Sequence, residues 1–226
     1  MARRIERELR GEFNEELLFL LGNELKRPLV NIAQLSEIGN RDQLIRIQAQ
    51  KALNTIDNML LYKQLVGGQA SLDFRPVHVG SVIHEVMNMV EPQMKMKGCR
   101  VEMAIQGSLQ PADIDRRLLA GALLGMWQAL IDMVQSSGQI ICSADKIHGG
   151  IRLSLMSREF QLDELNMARA NTGSSQPMTG VSGAAVDLLT ASSMLGLAGS
   201  KLTKSRRRGM SGIGMTLRPS RQMQLI

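Results

Sequence analysis

Aromatic side chains are scarce in this sequence: one Trp, one Tyr and four Phe make up 3% of it. That scarcity argues against a surface that stacks nucleic-acid bases, and it leaves Leu, Ile, Val, Ala and 16 methionines to fill the interior. The cysteines, Cys99 and Cys142, lie far apart, and no Cys or His stands at metal-ligand spacing. A disulfide framework and a zinc site are therefore both unexpected, no metal is assigned, and the expected compartment is reducing. No apolar run approaches the length needed to span a bilayer. The opening segment MARRIERELRGEFNEE is charged throughout, which is unlike a signal peptide, so the expectation is a soluble, cytoplasmic protein without a membrane partner.

What is present is a chain of 226 residues, 44% apolar, enough for one helical module and one mixed module. Its net charge of +6 favours acidic partners. Much of that charge falls on Lys201, Lys204, Arg206, Arg207, Arg208, Arg218 and Arg221, which read as a solvated hairpin rather than as a nucleic-acid surface.

Apolar residues at Ile5, Leu9, Phe13, Leu17, Leu21, Leu25, Leu29, Ile32 and Leu35 keep a spacing of three to four, which predicts one long amphipathic helix to about Ile38. After a turn at 39–42, with Asp42 as N-cap, the pattern resumes at Ile45, Ala49, Leu53, Ile56, Leu60 and Leu65. Two such helices bury one stripe each, so pairing two hairpins into a dimeric four-helix bundle is expected. The helical signal ends at Gly67-Gly68, which divides the chain into residues 1–68 and 69–226. The second part is predicted to be an α+β sandwich with strands at 100–105, 139–143, 151–156, 201–204 and 212–217. Its helices are expected at 79–96, 113–135, 161–170 and 183–197, covering one face of a mixed sheet, with 170–183 as a mobile loop.

The first helix carries Phe19-Leu20-Leu21-Gly22-Asn23-Glu24-Leu25-Lys26-Arg27-Pro28-Leu29-Val30-Asn31-Ile32. This resembles the H-box of sensor histidine kinases, F-x-x-x-x-H-E-L-R-T-P-L-x-x-I. Leu72 to Val79, Lys97 to Val101 and the ending Gly209-Met210-Ser211-Gly212-Ile213-Gly214-Met215-Thr216-Leu217 are also similar to that family. The resemblance implies a dimeric helical hairpin followed by an ATPase-like domain of the GHKL type, the architecture also of dimeric histidine phosphotransfer proteins. Pro28 removes a backbone donor and crowds the carbonyl of Glu24, so a kink is expected beside the phosphoacceptor position.

That position holds Asn23. Phosphotransfer needs an imidazole nitrogen, whereas an amide nitrogen has its lone pair delocalised into the carbonyl. Glu24 matches the family's acid/base residue with no imidazole beside it, and Arg27 replaces the Thr or Asn that positions water. On the nucleotide side, the resemblance puts Gln128 at the Mg²⁺-binding Asn and Leu124 at the earlier one, and Mg²⁺ demands near-octahedral placement. The adenine motif falls at Ser157-Arg158-Glu159-Phe160-Gln161, which has lost its Asp and both glycines. The phosphate loop becomes Gly183-Ala184-Ala185-Val186-Asp187-Leu188, with two glycines replaced and a carboxylate where triphosphate would lie.

Four losses with the scaffold still legible point to a retained fold with abandoned chemistry. The expectation is a catalytically inactive relative that takes no cofactor and binds either a response-regulator receiver domain or a histidine kinase. The docking surface would be Asn23, Glu24, Lys26, Arg27 and Pro28, whose basic pair complements a receiver's acidic pocket. A divergent ATP-dependent phosphotransferase and a basic nucleic-acid-binding hairpin stand as the alternatives.

Overall fold

The computed structural model describes residues 29–32, 34, 42–107, 109–134, 137–160, 170–171 and 184–220. Residues 29–32 and 34 are helical, as the first apolar period requires, while the rest of that predicted helix and its kink at Pro28 lie outside the described residues. Helix α1 (Asp42–Val66) follows, with Asp42 as its first residue rather than its cap. It ends where Gly68 takes φ +72°, a left-handed conformation that glycine adopts at no steric cost.

Strand β1 (Arg75–Val77) leads into α2 (Val79–Lys97) and β2 (Arg100–Ile105), then β3 (Ala112–Ile114) and α3 (Arg116–Met133). A hairpin of β4 (Gln139–Ile147) and β5 (Gly150–Ser157) precedes α4 (Ala185–Leu197), and a second hairpin of β6 (Thr203–Arg207) and β7 (Met210–Leu217) closes the fold. Of the helix expected at 161–170, Ala170 is described and is helical; so is Asn171, the second residue of the expected loop.

The main sheet has the order β2-β4-β5-β7-β6, with β2 parallel to β4 and every other pair antiparallel. Along each strand, alternate residues face the helices. Val82, Ile83, Val86 and Val90 of α2, together with Leu188, Ala191 and Leu195 of α4, pack over Ile140, Cys142, Leu153, Leu155, Ile213 and Met215. Helix α3 lies inside this layer, and its residues from Leu118 to Ile131 are buried on all sides apart from half-buried Ala120. The sandwich is thus α+β with one helix-covered face, as expected.

Three details depart from the sequence reading. Helix α3 begins three residues later than expected, because 112–114 pair antiparallel with 75–77 as a short second sheet and Asp115 becomes the cap. The β4–β5 and β6–β7 hairpins reach further toward their turns, where Gly149 (φ +75°) in one and Arg208 with Gly209 (φ +48° and +76°) in the other supply the left-handed residues. In α1, Leu53 and Leu60 of the predicted apolar stripe are each 52% exposed, while Ile47, Ala52, Asn54, Thr55 and Met59 are buried. Tyr62 and Leu65, toward the end of α1, pack against the core of the sheet-bearing part.

Candidate functional site

Asn23, Glu24, Lys26, Arg27 and Pro28 lie outside the described residues, as does Gly183. Just beyond the first group, helical Leu29 and Val30 are 58% and 42% exposed. Gln128, Leu124, Ser157 and Asp187, singled out by the resemblance, stand on the helix side of the sheet. Gln128 in α3 is 1% exposed and Leu124, one turn earlier, 4%; Ser157 at the end of β5 is fully buried, and Asp187 in the first turn of α4 is 3% exposed.

These positions are held by close helix packing. A Cβ added at Gly125 would come 2.5 Å from the carbonyl oxygen of Asp187 and 3.1 Å from the Cβ of Ala191, so α3 and α4 approach to backbone contact there. Ser157 turns inward by strand alternation, and its Oγ accepts the backbone N–H of Glu159 at 3.3 Å. The buried Nε2 of Gln128 has no hydrogen-bond partner among the described residues.

Asp187 is tied to the helical part. Lys51 of α1 places its Nζ 2.6 Å from Asp132 Oδ2 at the end of α3 and 3.6 Å from Asp187 Oδ2. The side chains are little exposed, at 15% for Lys51, 27% for Asp132 and 4% for Asp187, so the attraction is weakly screened. The position of Asp187 at the helix N-terminus also favours its negative charge. The carbonyls at this same C-terminal end of α3 are satisfied by Lys97, whose Nζ donates to Ile131, to Val134 at 3.0 Å and to Asp132 at 3.4 Å.

Neither the lysine nor the two carboxylates supplies a nucleophile of the imidazole kind, and His78, His84 and His148 are all exposed and far in sequence from this cluster. Cys142, deep under the helices, has its thiol pushed up to about 12 by burial, which makes it inert. Among the described residues no group of His, Cys, Asp and Glu side chains has the arrangement of a metal site.

Lys51 and Asp132 were missed in the sequence. Their one signal is the polar row Lys51, Asn54, Thr55 and Asn58, spaced by three and four along α1 and turned inward beside the apolar stripe. Asn58 lies against α3, near the space that a Cβ on Gly121 would fill.

No protein-family model matches the chain, and no curated protein is significantly similar to it in sequence. Solved structures do resemble it. The Acinetobacter baumannii histidine kinase AdeS is 14% identical over 87% of this chain and 98% of its own, with a TM-score of 0.61. Histidine kinase ThkA, in a complex with response regulator protein TrrA, is 14% identical over 99% and 67%, also with a TM-score of 0.61. Full-length ShkA in complex with AMPPNP is 17% identical over 95% and 46%, with a TM-score of 0.60. The chain has the histidine-kinase-like GHKL fold, and among the described residues no helix is long and apolar enough to cross a membrane.

Proposed function

We propose that this chain, built on the histidine-kinase-like fold, is a catalytically inactive homologue that acts by binding in two-component phosphorelay signalling. It would dock a response-regulator receiver domain or a partner kinase through Asn23, Glu24, Lys26, Arg27 and Pro28. Residues 1–68 would form the dimerising hairpin of a cytoplasmic homodimer, and 69–226 the ATPase-like domain that no longer takes nucleotide or Mg²⁺.

The observation that carries this reading is the environment of Asp187. A carboxylate stands where the resemblance places phosphate-binding glycine, and it is paired with Lys51 of α1 in a nearly dry setting. A triphosphate there would meet the carboxylate's like charge at close range and low dielectric. Buried Gln128 and Ser157 and the Asn at position 23 support the same conclusion. That ThkA was solved with a response regulator supports a receiver domain as the partner class. Exposed Leu53 and Leu60, seven residues apart on one face of α1, support a second copy as the cover of that stripe.

Restoring the missing acceptor tests this reading. Asn23→His puts an imidazole beside Glu24, and it is expected to accept phosphate from a phosphorylated receiver domain, which needs only the imidazole, the receiver's own Mg²⁺ and a complementary surface. The same protein is expected to remain unlabelled by radioactive ATP alone. Labelling from ATP would overturn the loss of nucleotide chemistry, and no labelling from any receiver of the host would overturn receiver docking.

A further inference from the structure

The face of the sheet turned away from the helices is not a flat, solvated surface. Strand alternation places Ser143 of β4, Ser154 of β5 and Ser205 of β6 on it, and register sets Ser143 opposite Ser154 and Ser154 opposite Gly214 of β7. The Oγ atoms of Ser154 and Ser205 meet at 2.9 Å above Gly214. A Cβ at Gly214 would lie 2.5 Å from the Ser205 hydroxyl and 2.9 Å from that of Ser154, so glycine is what lets the two hydroxyls join.

The β6–β7 hairpin curls over this face. Arg207 pairs with Met210 near the hairpin tip, whereas Asp145 lies level with Thr216 near the far end of β7, yet the Arg207 guanidinium comes 3.9 Å from Asp145 Oδ2. Only a strongly bent hairpin brings these groups together, and Gly212, where a Cβ would run into the carbonyl of Leu155, stands in the bent stretch.

Between hairpin and sheet is a cleft of about 590 Å³ whose walls are polar. Ser143 and Ser154, both 3% exposed, form its floor, and Met156 is the one apolar lining residue among the described residues. Arg152 projects from β5 beside them; it is exposed and, among the described residues, meets no carboxylate at ion-pair distance.

We infer that this cleft binds a small phosphorylated sugar. The volume lies within the range of small-molecule sites, roughly 300–1,000 Å³. A guanidinium without a carboxylate partner offers the planar fork that matches phosphate. Serine hydroxyls both donate and accept, and so suit the hydroxyls of a polyol, while Asp145 supplies a further acceptor. Among the described residues the lining holds no aromatic ring to stack on a base and little apolar surface, which disfavours a nucleoside or a lipid chain. The cleft lies on the opposite face from Gln128, Ser157 and Asp187, so it stands or falls separately from the function proposed above.

The test is titration calorimetry of the full chain with ribose 5-phosphate, with ribose and inorganic phosphate as separate arms. Saturable binding at one site per chain is expected, at least tenfold tighter than either fragment and weakened at least tenfold by Arg152→Gln or Ser205→Ala. Circular dichroism of the exposed Arg152→Gln variant should match wild type, which separates a lost contact from a lost fold. No binding at millimolar ribose 5-phosphate would overturn the inference. So would phosphate alone binding equally well, or affinity unchanged in both variants.

Discussion

On the helix side of the sheet, Ile140, Cys142, Leu153, Leu155, Ile213 and Met215 are fully buried, and α3 is enclosed almost along its whole length. On the other side the same strands present Ser143, Asp145, Arg152, Ser154 and Thr216 around an open polar cleft. Leu124, Gln128, Ser157 and Asp187, four positions that resemble nucleotide motifs, lie buried on the closed side, while the cleft's polar groups lie on the open one.

The largest expected effect sharpens that contrast. Leu123→Ala in the middle of α3 should destabilise the protein by about 2–5 kcal/mol, since it leaves a cavity among fully buried neighbours. Urea denaturation followed by the fluorescence of Trp127, the single tryptophan, measures it. A loss below about 0.5 kcal/mol, typical of surface changes, would break the picture of a tightly packed helix side.

Removing Lys51 comes next. Lys51→Met keeps most of the volume but leaves the Asp132 and Asp187 carboxylates without their shared cation, at a cost of about 3 kcal/mol for a largely buried pair. Asp187→Asn in the same background should recover part of that loss. Additive losses in a double-mutant cycle would show that the pair is not coupled.

A smaller, pH-dependent effect belongs to Asp115. Burial pushes its carboxyl up, but hydrogen bonds from the Arg117 side chain and from the backbone N–H groups of Asp73 and Arg117 outweigh that, holding it below the ordinary range. A carboxyl lowered in the folded state contributes stability above its unfolded pKa, about 3.9, and loses it as pH falls through the folded value. Wild type should therefore lose stability more steeply than Asp115→Asn below about pH 4, as read by acid-denaturation curves. Parallel curves would remove Asp115 from the acid limb. Thr216→Ala, on the exposed face, should change stability by less than about 0.5 kcal/mol in the same assay.

Much of the fold was legible from residue patterns. The apolar period of 45–65, the Gly67-Gly68 break and the β-favouring runs around Ile140 and Leu153 each mark local structure that tertiary contacts then extend. Strands β1 and β3 were not legible, because three-residue strands have no period of their own and exist through a pairing across nearly forty positions, Arg75 with Ile114. The start of α3 was misplaced for the same reason: Asp113 and Asp115 are equally good caps in sequence, and the strand at 112–114 decides between them.

Among the site positions, Gln128, Ser157 and Asp187 could be located by resemblance, but not their burial or the reach of Lys51 to Asp187, which depends on how α1 lies against α3 and α4. The cleft on the open face was hidden as well, since it arises from a hairpin bend at Gly212 and Gly214, residues that read only as part of a glycine-containing strand.

The most direct measurement is titration of the full chain with ATP and Mg²⁺, by calorimetry and by thermal unfolding. A functional pocket at a hundred times its dissociation constant would stabilise the fold by about 2.7 kcal/mol. On the proposed reading, in which buried Asp187, paired with Lys51, stands where the resemblance places a phosphate-loop glycine, no heat of binding and no rise in melting temperature are expected at millimolar nucleotide. A saturable heat with a clear upward shift, lost on substitution of Gln128, would contradict the proposal that this fold has given up its nucleotide chemistry.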